Sequence, residues 1–232
     1  MKMILIGGGN IGRGKSQYET KKIDTHIVRI TRKEHPDFLF IGLASNYADS
    51  YYDTIKKNYQ SLGCKTNYLK KSNLINNPQL VKEKIEKADI IYIGGGDTVK
   101  LMDEIKKYSL KELLYNAYSR DCVMVGYSAG AISLSDKGIS DSYILRGESK
   151  DYSLISGMGF NEFIISPHFQ DDKRKRELLK ILKSGTHKII GIEDSTALEI
   201  NNNNISAIHD KNGANVHLLT YKDGVLIKDI IL

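Results

Sequence analysis

The sequence predicts a single α/β domain with a mostly parallel central sheet that is flanked by helices. Short apolar segments of strand length alternate along the chain with segments of helical spacing, and this alternation is typical of βαβ units. Glycine-rich turns follow three of the apolar segments, at Gly7–Gly9, Gly94–Gly96 and Gly126. Because ligands bind at the carboxyl ends of parallel strands, these turns predict a site at one edge of the sheet.

The individual elements follow from periodicity and from breaker residues. In chain order we predict strands at 3–6 and 38–43, a helix at 48–62, a strand at 64–69, a helix at 78–88, a strand at 89–93, a helical stretch at 98–118, a strand at 122–125, a helix from about 129, a strand at 163–166, a helix at 171–183 and a strand at 189–192. The helix at 48–62 places Tyr51, Ile55 and Tyr59 on one face, and Pro78 suits the first turn of the next helix. From Ala197 onward, turn residues at 201–204, 212–213 and 223–224 predict short antiparallel strands.

Length and composition exclude several classes of protein. The 232 residues fit one domain, spanning 1–232, at about 100–200 residues per domain. With 41% hydrophobic and 27% charged residues the chain is not disordered, and two cysteines cannot staple a disulfide mini-protein. No apolar run approaches the roughly 18–20 residues of a membrane helix, and the first one ends at Gly7, too early for a signal peptide. With Cys64 and Cys122 unpaired, we expect a cytoplasmic protein that does not engage a membrane.

The positive charge of the chain raises the question of nucleic-acid binding. The net charge is +6 and the isoelectric point about 9.0. However, only 7 of the 34 basic residues are Arg, and the Lys residues are scattered among acidic ones, as on solvated helix faces. The one dense basic run, 173–176, follows Asp171 and Asp172 and so resembles the first turns of a helix. We therefore expect no nucleic-acid partner.

A phosphate-binding motif occurs near the start of the chain. Gly9–Ser16 fits the P-loop pattern G-x-x-x-x-G-K-S and follows a predicted strand. The residues after Ser16 offer a single apolar position before Ile23, which is too few for the helix that a P-loop serine begins. Nucleotide binding through this segment is therefore the weaker of two hypotheses.

The stronger hypothesis comes from a second motif. Gly126–Gly130 reads G-x-S-x-G, after a predicted strand and before a predicted helix, which is the context of a nucleophilic serine. The flanking glycines allow a sharp turn that exposes the Ser128 hydroxyl at the end of the strand. The alternative is a serine in an ordinary tight turn.

A serine nucleophile requires a base and a group that orients the base. Of the six histidines, His168 directly follows a predicted strand and Pro167, which stiffens the loop, so it is the candidate base. Glu193 and Asp194 end the strand at 189–192, and neighbouring side chains at a strand end point in opposite directions, so one of them faces His168. Asp141, in the loop after the nucleophile, is a third candidate acid.

Four spaced motifs carry a resemblance to a known family. They are Gly94–Thr98 (GGGDT), Gly126–Ala131 (GYSAGA), Pro167–Phe169 (PHF) and Gly191–Ala197 (GIEDSTA). In this order they resemble the peptidase E (aspartyl dipeptidase) and cyanophycinase family of serine peptidases, and the length is similar to that of short peptidase E-like members. The resemblance implies a fold similar to that of class I glutamine amidotransferases.

The resemblance also implies roles for individual residues. Ser128 would be the nucleophile, His168 the base, and the amides of Gly96 and Ala129 the oxyanion hole. The acid would be Asp194, where the family more often has Glu, whereas an older assignment in the family would select Asp141. We favour Asp194 because the end of a strand is more rigid than a loop.

The resemblance also implies residues that recognise the substrate. In peptidase E-like enzymes an Arg after the PHF segment binds the acidic side chain of the substrate's first residue, and Arg174 and Arg176 are the nearest matches. Asp171 and Asp172 stand where the dipeptidases have a longer loop, so strict specificity for Asp is in question. The alternative is that both arginines belong to a solvated helix face.

The sequence thus predicts a serine exopeptidase that hydrolyses short peptides, some with an acidic first residue. No metal or other cofactor is expected, because Cys64 and Cys122 lack ligand spacing. A P-loop protein and a non-catalytic, ligand-binding member of the same fold are the alternatives, and a homodimer is an open expectation.

Overall fold

The computed structural model describes residues 1–46, 48–181, 187–202, 204–211, 213–222 and 225–231. Its strands are β1 (Lys2–Ile6), β2 (Asp37–Ile41), β3 (Lys65–Leu69), β4 (Ile90–Ile93), β5 (Val123–Tyr127), β6 (Lys137–Ser140), β7 (Ser153–Ser156), β8 (Ile164–Pro167), β9 (His187–Ile192), β10 (Thr196–Asn201), β11 (Asn204–His209), β12 (Val216–Lys222) and β13 (Val225–Ile231). Its helices are α1 (Lys21–Ile30), α2 (Ala48–Ser61), α3 (Lys71–Asn76), α4 (Pro78–Lys87), α5 (Thr98–Lys107), α6 (Leu110–Ser119), α7 (Ala129–Leu134), α8 (Ser142–Leu145) and α9 (Asp172–Ile181).

The first sheet has seven strands in the order β11-β10-β1-β5-β4-β2-β3. Strands β1, β5, β4, β2 and β3 run parallel, which confirms the predicted α/β class. Strands β10 and β11 extend the sheet beyond β1 in antiparallel fashion. Helices α1 and α2 cover one face of this sheet, and α5, α6 and α7 pack with the core cluster on the other.

The three glycine turns lie at β1, β4 and β5 of this sheet, as predicted, but the expectation that the strands before His168 and Asp194 belong to the same sheet is wrong. Strands β8 and β9 belong to a second sheet of six strands, in the order β13-β12-β9-β8-β6-β7. Strand β1 is already bordered by β5 on one side and by β10 on the other, from Lys2↔Asn201 to Ile6↔Ala197. Apolar periodicity shows that a strand is buried but does not specify which strand it pairs with, so the sequence could not separate the two sheets.

The two sheets nevertheless share one hydrophobic core. Leu5 of β1, Ile165 of β8 and Ile192 of β9 are all fully buried in the same cluster of side chains. A hydrogen bond from the amide of His168 to the carbonyl of Gly7 (3.2 Å) joins the end of β8 to the end of β1. Only residues 193–195 connect β9 in the second sheet to β10 in the first. The carboxyl ends of strands from both sheets therefore meet in one place.

Other elements differ from the sequence prediction in detail. The helical stretch predicted at 98–118 is two helices, because Ser109 adopts a positive φ of 52° and turns the chain between α5 and α6. Elements α1, α3, α8, β6 and β7 were not predicted. The turn residues Asn203, Asn212, Asp223 and Gly224, and the end of the predicted helix at 171–183, lie outside the described residues. In the part of the chain that is described, no helix has the length and apolarity needed to cross a membrane.

A buried carboxyl group holds α1 against the loop that precedes it. Asp24 is fully buried and accepts hydrogen bonds from the hydroxyl groups of Tyr18 (2.7 Å), Thr20 (3.1 Å) and Tyr59 (2.7 Å). Burial raises the pKa of Asp24 to about 6, although these hydrogen bonds oppose the shift. The native state therefore binds this proton more tightly than the unfolded chain does.

This raised pKa predicts a pH-dependent stability. Between about pH 4 and pH 6 the folded protein holds more protons at Asp24 than the unfolded chain, so the free energy of unfolding falls as the pH rises. For a pKa raised by about two units, the free energy of unfolding falls by up to about 3 kcal/mol between acid and neutral pH. We expect Asp24→Asn to remove this part of the pH dependence in urea unfolding at pH 4 and pH 7. The exposed Asp53→Asn is the control; equal pH dependence in wild type and Asp24→Asn would contradict the prediction.

Candidate active site

Ser128 lies in a strained turn between β5 and α7. Its φ of 51° and ψ of −108° are unfavourable for a residue with a side chain, and such strain is concentrated at functional sites. Gly126 and Gly130 are required for the turn, because a Cβ atom at Gly126 would overlap the backbone of Gly130 and one at Gly130 would overlap the carbonyl of Ile93. The amide of Ser128 donates to the carbonyl of Ile6 (2.9 Å), which fixes the turn at the end of β1.

A chain of hydrogen bonds runs from Ser128 through His168 to Asp194. Oγ of Ser128 lies 2.9 Å from Nε2 of His168, and Nδ1 of His168 lies 2.6 Å from Oδ1 of Asp194. His168 follows the end of β8 with a positive φ of 53°, and Asp194 lies in the connection between the two sheets. The structure thus brings together three residues that are 40 and 26 positions apart in the sequence.

The environment of Asp194 keeps its carboxyl group ionised at neutral pH. Partial burial alone would raise its pKa, but the hydrogen bond and charge of His168, with smaller contributions from Gln170 and Arg174, hold the pKa below its usual range. The amide of Asp194 also donates to Oε1 of Gln170 (3.0 Å), which fixes the backbone at this position. The carboxylate is therefore placed to hold one orientation and one tautomer of the imidazole ring.

Gly8 belongs to the glycine turn predicted at the site, but its role beside the His–Asp pair is visible only in the structure. A Cβ atom at this position would overlap Oδ1 of Asp194 and the ring of His168, so only glycine lets the backbone lie against their hydrogen bond. The carbonyl of Gly8 accepts a hydrogen bond from the amide of Ser195 (3.0 Å). The glycine run after β1, which resembled a phosphate cradle, thus packs against the His–Asp pair. A search for strand-end glycines beside candidate catalytic loops could have found it.

The other two candidate acids have different partners. Oε1 of Glu193 lies 2.7 Å from Nε2 of the buried His217, and its second oxygen accepts from the amide of Asn215 (3.0 Å). Oδ2 of Asp141 lies 3.3 Å from a guanidinium nitrogen of Arg174. Neither side chain is hydrogen-bonded to His168, so Asp194 is the acid in contact with that ring.

Two backbone amides next to Ser128 are available as donors. Within the described residues, the amides of Gly96 and Ala129 have no hydrogen-bond acceptor, whereas those of Gly94 and Asp97 do. A Cβ atom at Gly95 would lie 3.4 Å from the Cβ of Ser128, so the glycine turn after β4 passes close to the nucleophile. The following Asp97 caps α5 by accepting from the amide of residue 100 (3.0 Å), and this holds the turn in place.

A cavity of about 460 Å³ opens beside Ser128 and His168. This volume lies in the range of small-ligand pockets. Its walls come from the loop after β1, from the turn after β4, from α2 and from α8; the side chains used below are Arg13, Tyr51, Asp141 and Leu145.

The expectation that Arg174 and Arg176 line the substrate pocket is wrong. Arg174 is only 4% exposed; it donates to the carbonyl of Ile139 (2.9 Å) and stacks over the ring of Tyr152. Arg176, two positions along α9, lies on the exposed side of the helix. Successive residues of a helix are rotated by about 100°, so Arg174 and Arg176 point about 200° apart and cannot both face one cavity. The sequence could not show that α9 packs behind the site rather than in it.

The P-loop interpretation of Gly9–Ser16 is also wrong. A P-loop serine begins a helix, but here α1 begins at Lys21, and the intervening chain forms a β-bridge between Ile11 and Tyr18. Oγ of Ser16 donates to the carbonyl of Arg13 (2.8 Å) within the same loop. The segment is a closed loop, and one of its side chains, Arg13, enters the cavity.

Comparisons with known proteins agree with this geometry. The chain is 28% identical to "Uncharacterized peptidase YgaJ" of Bacillus subtilis over 94% of this chain and 91% of that protein. It is 26% identical to peptidase E of Shewanella amazonensis, in a match that covers 56% of this chain and 58% of that protein. A solved peptidase from an acI-B1 Actinobacterium superposes with a TM-score of 0.69 over 98% of this chain and 96% of that one; at 22% identity it supports the fold.

The α/β fold and the strand–serine–helix turn, together with these relatives, define the class of the protein as a serine peptidase. The chain belongs to Peptidase family S51, whose model matches residues 3–208. This confirms the family resemblance predicted from the four motifs. Among the described residues, no group of three or more His, Cys, Asp or Glu side chains could hold a metal ion.

Proposed function

We propose that this protein is a serine exopeptidase that hydrolyses short peptides through Ser128, His168 and Asp194. The observation that carries the proposal is the hydrogen-bond chain of 2.9 Å and 2.6 Å that links the three side chains. A serine hydroxyl is a weak nucleophile until a base accepts its proton, and the base must be held in the correct tautomer. This geometry supports both requirements.

In the first half of the reaction, Nε2 of His168 accepts the proton of Ser128 as Oγ attacks the carbonyl carbon of the peptide bond. The negative charge that develops on the carbonyl oxygen is stabilised by the amides of Gly96 and Ala129, which lack other acceptors among the described residues. His168 then gives its proton to the leaving amine, and the C–N bond breaks. The first product leaves, and the acyl group stays on Ser128.

In the second half, His168 accepts a proton from water, and the resulting hydroxide attacks the ester carbonyl. The same two amides stabilise the second oxyanion. His168 returns the proton to Oγ of Ser128, and the carboxylic acid product is released. Asp194 remains ionised throughout and stabilises the imidazolium that forms in each half.

The shape of the cavity supports a short substrate. The closed loop after β1 bounds it on one side and α8 on another, where Asp141 and Leu145 line the wall. An ion pair between Arg146 and Asp97 (2.5 Å) fixes the end of α8 to the start of α5. Whether the first residue of the substrate is acidic is part of the test below, since neither Arg174 nor Arg176 lines the cavity.

A fluorophosphonate probe tests the proposed nucleophile directly. We expect the native protein to be labelled on the peptide that contains Ser128, as located by mass spectrometry, and Ser128→Ala to remain unlabelled. Heat-denatured wild type is the control for non-specific reaction. Hydrolysis of dipeptides, their N-acetyl derivatives and pentapeptides then tests the exopeptidase class. A folded wild type that is not labelled, or a Ser128→Ala variant that is labelled equally, would overturn the proposal.

A further inference from the structure

The closed loop after β1, residues 9–19, is held firmly over the cavity. Its two ends are joined by hydrogen bonds between Asn10 and Glu19, from the backbone and the side chain of Asn10 to one carboxylate oxygen and from the amide of Glu19 to the carbonyl of Asn10 (2.7–3.1 Å). The side chain of Asn58 in α2 donates to the carbonyl of Ile11 (2.8 Å). The hydroxyl of Tyr127, the residue before the nucleophile, donates to the carbonyl of Gly9. These contacts tie the loop to α2 and to the end of β5.

Arg13 projects from this loop onto an aromatic ring of the cavity wall. Its guanidinium carbon lies 5.1 Å from the centre of the Tyr51 ring, a cation–π contact. The hydroxyl of Tyr51 in turn accepts a hydrogen bond from the amide of Gly95 (3.4 Å), in the glycine turn that passes close to Ser128. Contacts therefore link Arg13, through Tyr51, to the glycine turn beside the nucleophile.

The positive charge of Arg13 lies on an exposed residue at the cavity. No carboxylate among the described residues forms an ion pair with Arg13, and it is the one Lys or Arg side chain that lines the cavity in that part of the chain. Arg174, by contrast, is paired with Asp141 and buried. Arg13 is an exposed residue, so a ligand can reach the N–H donors of its guanidinium group.

We propose that Arg13 binds a carboxylate group of the substrate and so determines specificity. A guanidinium edge donates two parallel hydrogen bonds to a carboxylate, which an ammonium group cannot do. The carboxylate is either the C-terminal group of a dipeptide or the side chain of an acidic first residue. This inference rests on the proposed function, because it assumes that the peptide bond lies at Ser128.

Three dipeptides distinguish the two sources of the carboxylate. Asp-Ala carries both groups, Asn-Ala lacks the side-chain carboxylate, and the C-terminal amide of Asp-Ala lacks the other. We expect Arg13→Gln to lower kcat/KM for Asp-Ala by about 10- to 100-fold. Of the two analogues that lack one carboxylate, one should be almost insensitive to the substitution. The carboxylate missing from that analogue is the one that Arg13 binds. Arg13→Lys should fall between wild type and Arg13→Gln.

Lys15→Ala is the matched control, because it removes a positive charge from the same loop at a residue that does not line the cavity. We expect it to change kcat/KM by about fivefold or less. Protection of Ser128 from the fluorophosphonate probe by each peptide gives a second readout of binding that does not depend on turnover.

The outcomes separate this inference from the proposed function. Suppose that Ser128 is labelled but Arg13→Gln affects all three peptides equally, or that Lys15→Ala has the same effect as Arg13→Gln. Arg13 then does not bind a substrate carboxylate, and the peptidase proposal stands. If wild-type Ser128 is not labelled at all, both fail. If Arg13→Gln lowers kcat/KM only for the two peptides that share one of the carboxylates, and Ser128 is labelled normally in the Arg13→Gln and Lys15→Ala variants, the inference and the proposed function are both supported.

Discussion

Replacing His168 by asparagine is expected to lower kcat by about 10⁵- to 10⁶-fold, as much as the loss of Ser128 itself. Without Nε2 at 2.9 Å, no group in the described part of the chain is hydrogen-bonded to Oγ to accept its proton. Asparagine suits the experiment because it tolerates the positive φ of 53° at this position better than most residues. The measurement is single-turnover and steady-state hydrolysis of a dipeptide that wild type accepts.

The double variant Ser128→Ala with His168→Asn should be no slower than either single variant, because residues that act as a unit are not additive. His209→Asn is the matched control, since His209 is an exposed histidine that is hydrogen-bonded to the carbonyl of Ala214. A His168→Asn enzyme that is folded and retains more than about one hundredth of wild-type kcat would exclude His168 as the base.

Replacing Asp194 by asparagine is expected to lower kcat by about 10⁴-fold without unfolding the protein. The carboxylate accepts from Nδ1 of His168 at 2.6 Å and so leaves Nε2 free to accept the proton of Ser128. An asparagine amide can donate to Nδ1 instead, which selects the tautomer that cannot act as a base. Because the pKa of Asp194 is held below its usual range, the loss should appear across neutral pH and not only in acid.

The two rival acids provide the controls for this experiment. Glu193→Gln changes the pairing with His217, and Asp141→Asn changes the pairing with Arg174, but neither touches His168. We expect each to lower kcat by about tenfold or less, which corresponds to about 1.4 kcal/mol of activation free energy. If Asp141→Asn or Glu193→Gln were as damaging as Asp194→Asn, Asp194 would not be the orienting acid.

The residues around Ser128 were predictable because their chemistry is local. A sharp turn between a strand and a helix needs small residues on both sides, and the five-residue motif Gly126–Gly130 supplies them. His168 was selected because it directly follows a strand. Adjacent acids at a strand end point in opposite directions, and the structure places Asp194 against His168 and Glu193 against His217.

The residues of the cavity wall were not predictable because their positions depend on distant contacts. Arg13 belongs to a motif that suggests phosphate binding, and its loop is placed by Asn58 and Tyr127, which lie 47 and 118 positions from their partners in that loop. Arg174 follows the PHF segment closely, but the packing of α9 buries it beside Asp141. Charge and proximity in sequence do not show which face of a helix meets a cavity.

Local patterns in the sequence predicted the α/β class, most of the strands and helices, the family, and Ser128 and His168 as nucleophile and base, whereas three acids stayed candidates with Asp194 favoured. These depend on apolar periodicity and on short motifs, which act over a few residues. The three-dimensional structure was needed to show that two sheets, and not one, supply the site, that Gly8 lies against the His–Asp pair, and that Arg13 lines the cavity. Strand pairing and loop placement are set by contacts between residues far apart in the chain, and a local pattern does not encode them.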